Sequence, residues 1–172
     1  PMSIDDVVQA IIRLAKPDTI TLRRAGVEHA ELIWQMQIEA FSASYEKYRD
    51  TQTNPAAEPS EKVLSRLKQP FTYYYLIQYG SETVGAIRII DKKESEEYKR
   101  ISPIFILPSY QNQGLAQKAI LEAERIHGSE NWALETILEE PCLCRLYEKL
   151  GYCKTGKTEK INGHLTLVFY QK

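Results

Sequence analysis

One short turn limits what this chain can fold into more than any other stretch. The run from Ile101 to Leu107 is extended and apolar, and Ala116, Ala119, Ile120, Ala123 and Ile126 recur at helical spacing. Between them stands Gln111-Asn112-Gln113-Gly114-Leu115-Ala116. A chain passing from strand to helix through this hexad must turn tightly, and its glycine lets the backbone come close to a ligand. The first free N–H groups of the helix carry the positive end of its dipole, which suits a phosphate or pyrophosphate. Taken alone, the same residues equally fit an ordinary strand–helix connection with a glycine in it.

The bulk properties leave room for one domain with a core: the chain has 172 residues, 43% of them hydrophobic. Its 22 basic and 23 acidic side chains give a formal net charge of -1. No global field then draws the protein onto nucleic acid or an anionic membrane, and any anion site must be local. No apolar stretch approaches membrane-spanning length, and the segment from Met2 to Lys16 is too charged for a signal peptide, so a cytoplasmic protein is expected. Cys142, Cys144 and Cys153 have neither a zinc spacing nor the even count of a disulfide framework. They read as small buried or half-buried fillers, with a nucleophilic cysteine as the alternative, and no metal site is expected.

Along the chain, Ser3 or Asp5 can cap a helix whose apolar stripe (Ile4, Val7, Val8, Ile11, Ile12, Leu14) ends before Pro17. It reads as an added arm, residues 1–18, whose stripe is covered by the domain of residues 19–172 or by a second copy in a homodimer. Ile20 to Arg24 alternates as a strand, and Gly26 turns into a helix from Val27 to about Phe41. From Ser42 to Ser60 aromatics, charges and prolines mix without period. That reads as a long loop, either a lid over an acceptor pocket or a solvated linker. Ser60 caps a helix through Lys68. Strands over Thr72 to Tyr79, Thr83 to Asp91 and Tyr98 to Leu107 have short connections and form an antiparallel meander. After the hexad helix come a strand from Trp132 to Leu138, a helix from Pro141 to Leu150, and two strands joined at Ile161-Asn162-Gly163-His164. The order β-α-α-β-β-β-α-β-α-β-β with an extra N-terminal helix makes an α/β (α+β) fold on a mixed sheet.

Two residues stand out. Pro103 cannot donate to a ladder, so the strand is irregular there or lies at an edge. If it parts from its neighbour just before the hexad, unpaired N–H and C=O groups are left for an extended, amide-bearing ligand. Tyr147 lies on the apolar face of its helix with Leu143, Leu146 and Leu150. It reads as a core tyrosine or as an acid, since a phenol of pKa about 10 can protonate a leaving thiolate whose conjugate acid is near about 8.5.

Gln111-x-x-Gly114-x-Ala116 behind a strand ending Ile106-Leu107-Pro108, then Leu134-Glu135-Thr136, then Arg145-Leu146-Tyr147-Glu148-Lys149-Leu150-Gly151-Tyr152, resembles the GNAT N-acetyltransferase superfamily. The resemblance runs from about Thr19 to Tyr170 and implies the acyl-CoA N-acyltransferase fold. It implies acetyl-CoA as cofactor, its pyrophosphate on the backbone of Gln111, Asn112, Gln113, Gly114, Leu115 and Ala116, and its pantetheine arm along Phe105, Ile106 and Leu107. The Ile106 amide would polarise the thioester carbonyl, and Tyr147 would be the general acid. Two positions depart from the family pattern. Glu140-Pro141 stands where many relatives have an asparagine, and Lys99-Arg100-Ile101-Ser102 offers no strand glutamate as base. Glu135, Glu139 and Glu140 are the substitutes.

The expected function is acetyl transfer from acetyl-CoA to a small-molecule or peptide amine, with Tyr45, Tyr48 and Asp50 of the loop bracketing a cationic acceptor. The alternative is a non-catalytic acyl-CoA sensor on the same fold.

Overall fold

The computed structural model describes residues 1–15, 19–94 and 96–172. One mixed sheet runs in the order β1-β2-β3-β4-β5-β7-β6. β1 (Ile20–Arg24), β2 (Thr72–Tyr79), β3 (Glu82–Ile90) and β4 (Lys99–Ile106) pair antiparallel in sequence order. β5 (Trp132–Ile137) lies parallel to β4, and β7 (Thr166–Gln171) and β6 (Cys153–Lys160) extend the sheet antiparallel. The helices are α1 (Ile4–Ala15), α2 (Ala30–Tyr48), α3 (Ser60–Leu67), α4 (Leu115–His127) and α5 (Pro141–Lys149). After α1 this is the expected element order.

Both faces of β2 and β3 are covered, which is why these strands read as nearly unbroken apolar runs. Neighbours on β2 point opposite ways. Tyr75 and Ile77 join Ala119, Ile120 and Ala123 of α4 and Tyr147 of α5. Tyr74 and Leu76 join Ile33 and Met36 of α2 and Val63 of α3.

Several expectations change. A 3-10 turn occupies Val27–His29, and α2 continues to Tyr48, two turns beyond the expected end at Phe41. The apolar period lapses there because residues 42–47 are exposed or half-buried, and no breaker interrupts the helix. Tyr45 and Tyr48 are therefore helical, and the loop shrinks to residues 49–59 with a 3-10 turn at Pro55–Ala57. Pro59, and not Ser60, precedes α3 as its cap residue. Cys144 is buried, whereas Cys142 and Cys153 are exposed; Cys153 lies on β6, all eight residues of which face solvent. In α1, Ser3 Oγ accepts from the Asp6 N–H at 3.1 Å and the Asp6 carboxylate accepts from the Ser3 N–H at 3.2 Å, a reciprocal cap. Ile4, Val7, Val8 and Ile11 are exposed. The Ile12 and Leu14 side chains and Pro17 lie outside the described residues.

At the far end of α4, the buried His127 ring sits between the Tyr75 hydroxyl and the Asp91 carboxylate, each at 2.8 Å. Burial, with help from Lys93 and Lys99, holds the imidazole below its usual range despite Asp91. A neutral ring then donates from Nδ1 to Asp91 and accepts the Tyr75 proton at Nε2. The unfolded chain takes up a proton first as pH falls past about 6.5, so stability falls from there downward. The melting temperature should decline between pH 7 and pH 5, and His127→Gln should flatten that decline while lowering stability overall.

Candidate active site

β4 and β5 pair only at Lys99↔Trp132 and Arg100↔Ala133, and then part. The register of β3 and β4 is irregular just beyond that point. Ile87 pairs with Ile104 and Ile89 with Ile101, so Arg88 faces both Ser102 and Pro103 across a bulge. The Ser102–Pro103 peptide is cis. Arg88 is 6% exposed, and its Nη1 donates to the Ser102 carbonyl at 2.9 Å, replacing a ladder bond. Its Nη2 donates to Gln69 Oε1 at 3.1 Å. Burial pulls this guanidinium down to about 10, which leaves it charged at neutral pH. Pro103 thus marks a bulge inside the sheet and not an edge strand.

Past the bulge, the Leu107 N–H donates to the Val84 carbonyl at 2.8 Å. Antiparallel alternation then turns the Ile106 N–H and C=O away from β3 and into the gap, while those of Phe105 serve β3. The Ile106 carbonyl accepts from Gln111 Nε2 at 2.8 Å, which ties the strand to the hexad. Of Phe105, Ile106 and Leu107, Ile106 therefore offers its amide to the gap. The Phe105 ring packs against Phe41 on the α2 face, with centroids 5.8 Å apart.

The hexad bends through Asn112 at φ 64° and Gly114 at φ 75°, both left-handed. A Cβ on Gly114 would meet nothing within 4 Å, so open space lies against the backbone at the start of α4. The Lys118 N–H closes on the Gly114 carbonyl at 3.2 Å, so the N–H groups of Leu115, Ala116 and Gln117 precede the first helical bond. Residues 111–114 are exposed, whereas the Leu115 side chain is buried in the core. The expected cofactor residues thus stand together: free amides at a helix start, and beside them a gap with unpaired strand groups. Their shape fits a diphosphate joined to an extended, amide-bearing arm.

A cavity of about 240 Å³ continues the gap between β4, β5, α2, α5 and the loop 49–59. Tyr147 lines it. The residue is 6% exposed, and its hydroxyl has no hydrogen-bond partner among the described residues. Burial first, then the Glu135 carboxylate, push the phenol up to about 12, so it stays protonated as a donor. Glu135 also lines the cavity and forms an ion pair with Arg100. Asp50 also lines the cavity and is 2% exposed.

Glu140 is placed differently. Its carboxylate accepts from Lys47 Nζ at 2.9 Å and from the Tyr48 hydroxyl, bonds that hold it below the usual carboxylate range. Glu140 does not line the cavity, and neither do Tyr45 and Tyr48. Tyr48 instead fastens the end of α2 to α5, and its carbonyl accepts from Asn162 Nδ2 at 2.8 Å. Glu139 accepts from the Thr166 N–H at 2.8 Å. Arg88 and Arg100 were missed by the sequence reading. Arg88 had a signal, a lone charge in the apolar run from Val84 to Ile90; Arg100 had none beyond its position on β4. Among the described residues no cluster of metal-ligating side chains occurs, and no helix is long and apolar enough to cross a membrane.

The fold has solved counterparts. The chain is similar to the microcin C7 self-immunity acetyltransferase MccE, solved with acetyl-CoA and AMP, at TM-score 0.68 and 16% identity over 90% of this chain and 92% of that one. It is similar to spermidine N-acetyltransferase from Vibrio cholerae, solved with CoA and spermine, at TM-score 0.70 and 18% identity over 88% and 94% of the two chains. RimL, the ribosomal L7/L12 alpha-N-protein acetyltransferase, solved with CoA, aligns at TM-score 0.64 and 14% identity over 88% and 92%. No curated protein matches the sequence. At such identities the solved structures carry the fold and not the acceptor. Residues 37–172 match the family model described as acetyltransferase (GNAT) domain, and with the splayed β4–β5 pair and the open turn before α4 already in view, the chain belongs to the GNAT acetyltransferases.

Proposed function

We propose that the protein transfers an acetyl group directly from acetyl-CoA to an amine, with Glu135 as the base and Tyr147 as the acid. The observation that carries this reading is convergence. Tyr147 and Glu135 line the cavity beside the place where β4 leaves β5, and strand alternation turns the Ile106 amide toward the same gap.

Acetyl-CoA supplies an activated acyl carbon as its thioester. The backbone from Gln111 to Ala116 would hold its diphosphate at the helix start, and the Ile106 backbone would hold the arm. The Ile106 N–H is aimed to donate to the acyl oxygen as negative charge gathers there. An amine of pKa near about 10 enters protonated, and Glu135 accepts its proton, directly or through water. Tyr147 donates to the departing sulfur. Asp50 would draw the cationic acceptor into the cavity before its proton is removed. β4 offers no carboxylate in the stretch Lys99–Ile101; there Arg100 pairs with Glu135 instead, so the base sits on β5.

Release of free thiol from acetyl-CoA with a panel of amines tests the reading. Glu135→Gln should lower kcat by about 10²-fold or more. Glu140→Gln should alter kcat little, because that carboxylate does not line the cavity. The reverse order would move the base to Glu140. Binding of acetyl-CoA without turnover on any amine would make the protein a sensor.

The same reading takes residues 1–18 as an arm on the catalytic domain of residues 19–172 in a cytoplasmic enzyme. The exposed Ile4, Val7, Val8 and Ile11 of that arm support a homodimer.

A further inference from the structure

We propose that Asp50 selects the acceptor by charge, admitting amines that carry no anionic group beside the reacting nitrogen. This rests on the acetyl transfer proposed above and concerns its acceptor class: alkyl- and arylalkylamines or diamines, and not free amino acids or other zwitterions.

The cavity's charge balance is one-sided. Asp50 and Glu135 line it, and among the described lining residues there is no lysine, arginine or histidine. Glu135 is neutralised by Arg100, which reaches it from outside the lining. Asp50 has no such partner. It is 2% exposed and enters no ion pair among the described residues. One carboxylate oxygen accepts from the Gln52 and Thr53 N–H groups, each at 2.9 Å, and the other accepts from the Thr53 hydroxyl. These neutral donors satisfy hydrogen-bonding capacity but bring no counter-charge to a buried anion, which a nearby cation would stabilise. An ammonium in the cavity supplies it. A carboxylate on the same acceptor would face Asp50 at low dielectric with no cation to meet it. Phe41, Pro55, Ile137, Leu143, Leu165 and Leu167 give the cavity apolar surface for hydrocarbon, among the neutral hydroxyls and amide of the other lining residues. An acceptor made of an amine on an apolar body matches both parts of the lining.

The test uses matched pairs that differ by one carboxylate: tyramine with tyrosine, cadaverine with lysine, and leucinamide with leucine. The full chain is assayed for thiol release from acetyl-CoA, and calorimetric binding of each pair is measured in parallel. The carboxylate-free member of each pair should be favoured by roughly tenfold or more in kcat/KM or in Kd. Asp50→Asn keeps an oxygen for the Gln52 and Thr53 N–H groups and should shrink that preference several-fold, by improving the amino acids as well as weakening the amines. Equal use of both members, or a preference that survives Asp50→Asn intact, overturns the proposal. If no acceptor turns over, the acetyl-transfer reading fails, and the binding preference still decides the role of Asp50.

Discussion

Tyr147→Phe should lower kcat by about 10²-fold or more without lowering the melting temperature. The two halves of this result have one cause. The hydroxyl makes no hydrogen bond among the described residues and borders the cavity, so its removal breaks no bond that holds the fold. The ring, which packs against Tyr152 and Tyr170 at centroid distances of 6.0 and 6.3 Å, is kept. KM for acetyl-CoA should stay nearly constant if, as proposed, the backbone of the hexad holds the diphosphate and the phenol meets only the sulfur. Steady-state kinetics and thermal unfolding on the same preparation check both halves. An unchanged kcat removes Tyr147 from the chemistry, and a parallel fall in melting temperature makes it a structural residue.

Gly85→Ala should be the most damaging small substitution in the sheet. A Cβ there would lie 2.0 Å from the Phe105 carbonyl oxygen, 3.0 Å from the Phe105 carbonyl carbon and 3.1 Å from Ile106 Cα. All three are backbone atoms, so no side chain can swing aside, and β4 itself must move. Overpacking of this kind costs about 1–3 kcal/mol and sometimes more. The displaced segment carries the Ile106 amide, so activity should fall further than the remaining folded fraction explains. Gly163→Ala, with nothing within 4 Å of its added methyl, is the control and should be neutral in both measurements. Denaturant unfolding and thiol release compare the pair. Wild-type behaviour of Gly85→Ala would mean that β3 and β4 can separate without disturbing the gap.

The expected residues fared differently according to how far along the chain their partners lie. The hexad and its helix were legible because a strand, a turn and an amphipathic stripe are local patterns, each readable within a few residues. The meander from Thr72 to Leu107 was legible for the same reason. The last two turns of α2 were not, since their exposure removes the apolar period by which a helix is recognised. Glu140 and Glu135 were equivalent in the sequence, both acidic and both shortly before Tyr147. Lys47, 93 residues away, engages the first, and Arg100, 35 residues away, pairs with the second. Asp50, grouped with Tyr45 and Tyr48 by proximity in the chain, turns out to share the cavity with Glu135 and Tyr147 while those two tyrosines do not.

By itself, then, the order of residues determined the element succession, the family resemblance and the turn that opens α4, because periodicity and turn chemistry act over short stretches of chain. Only the tertiary structure decided where β4 leaves β5, which carboxylate keeps a place in the cavity, and that Asp50 is left without a counter-charge. Those outcomes depend on long-range contacts among Arg88, Ser102, Arg100 and Lys47, and electrostatic pairing follows distance in space, which no local pattern of residues encodes.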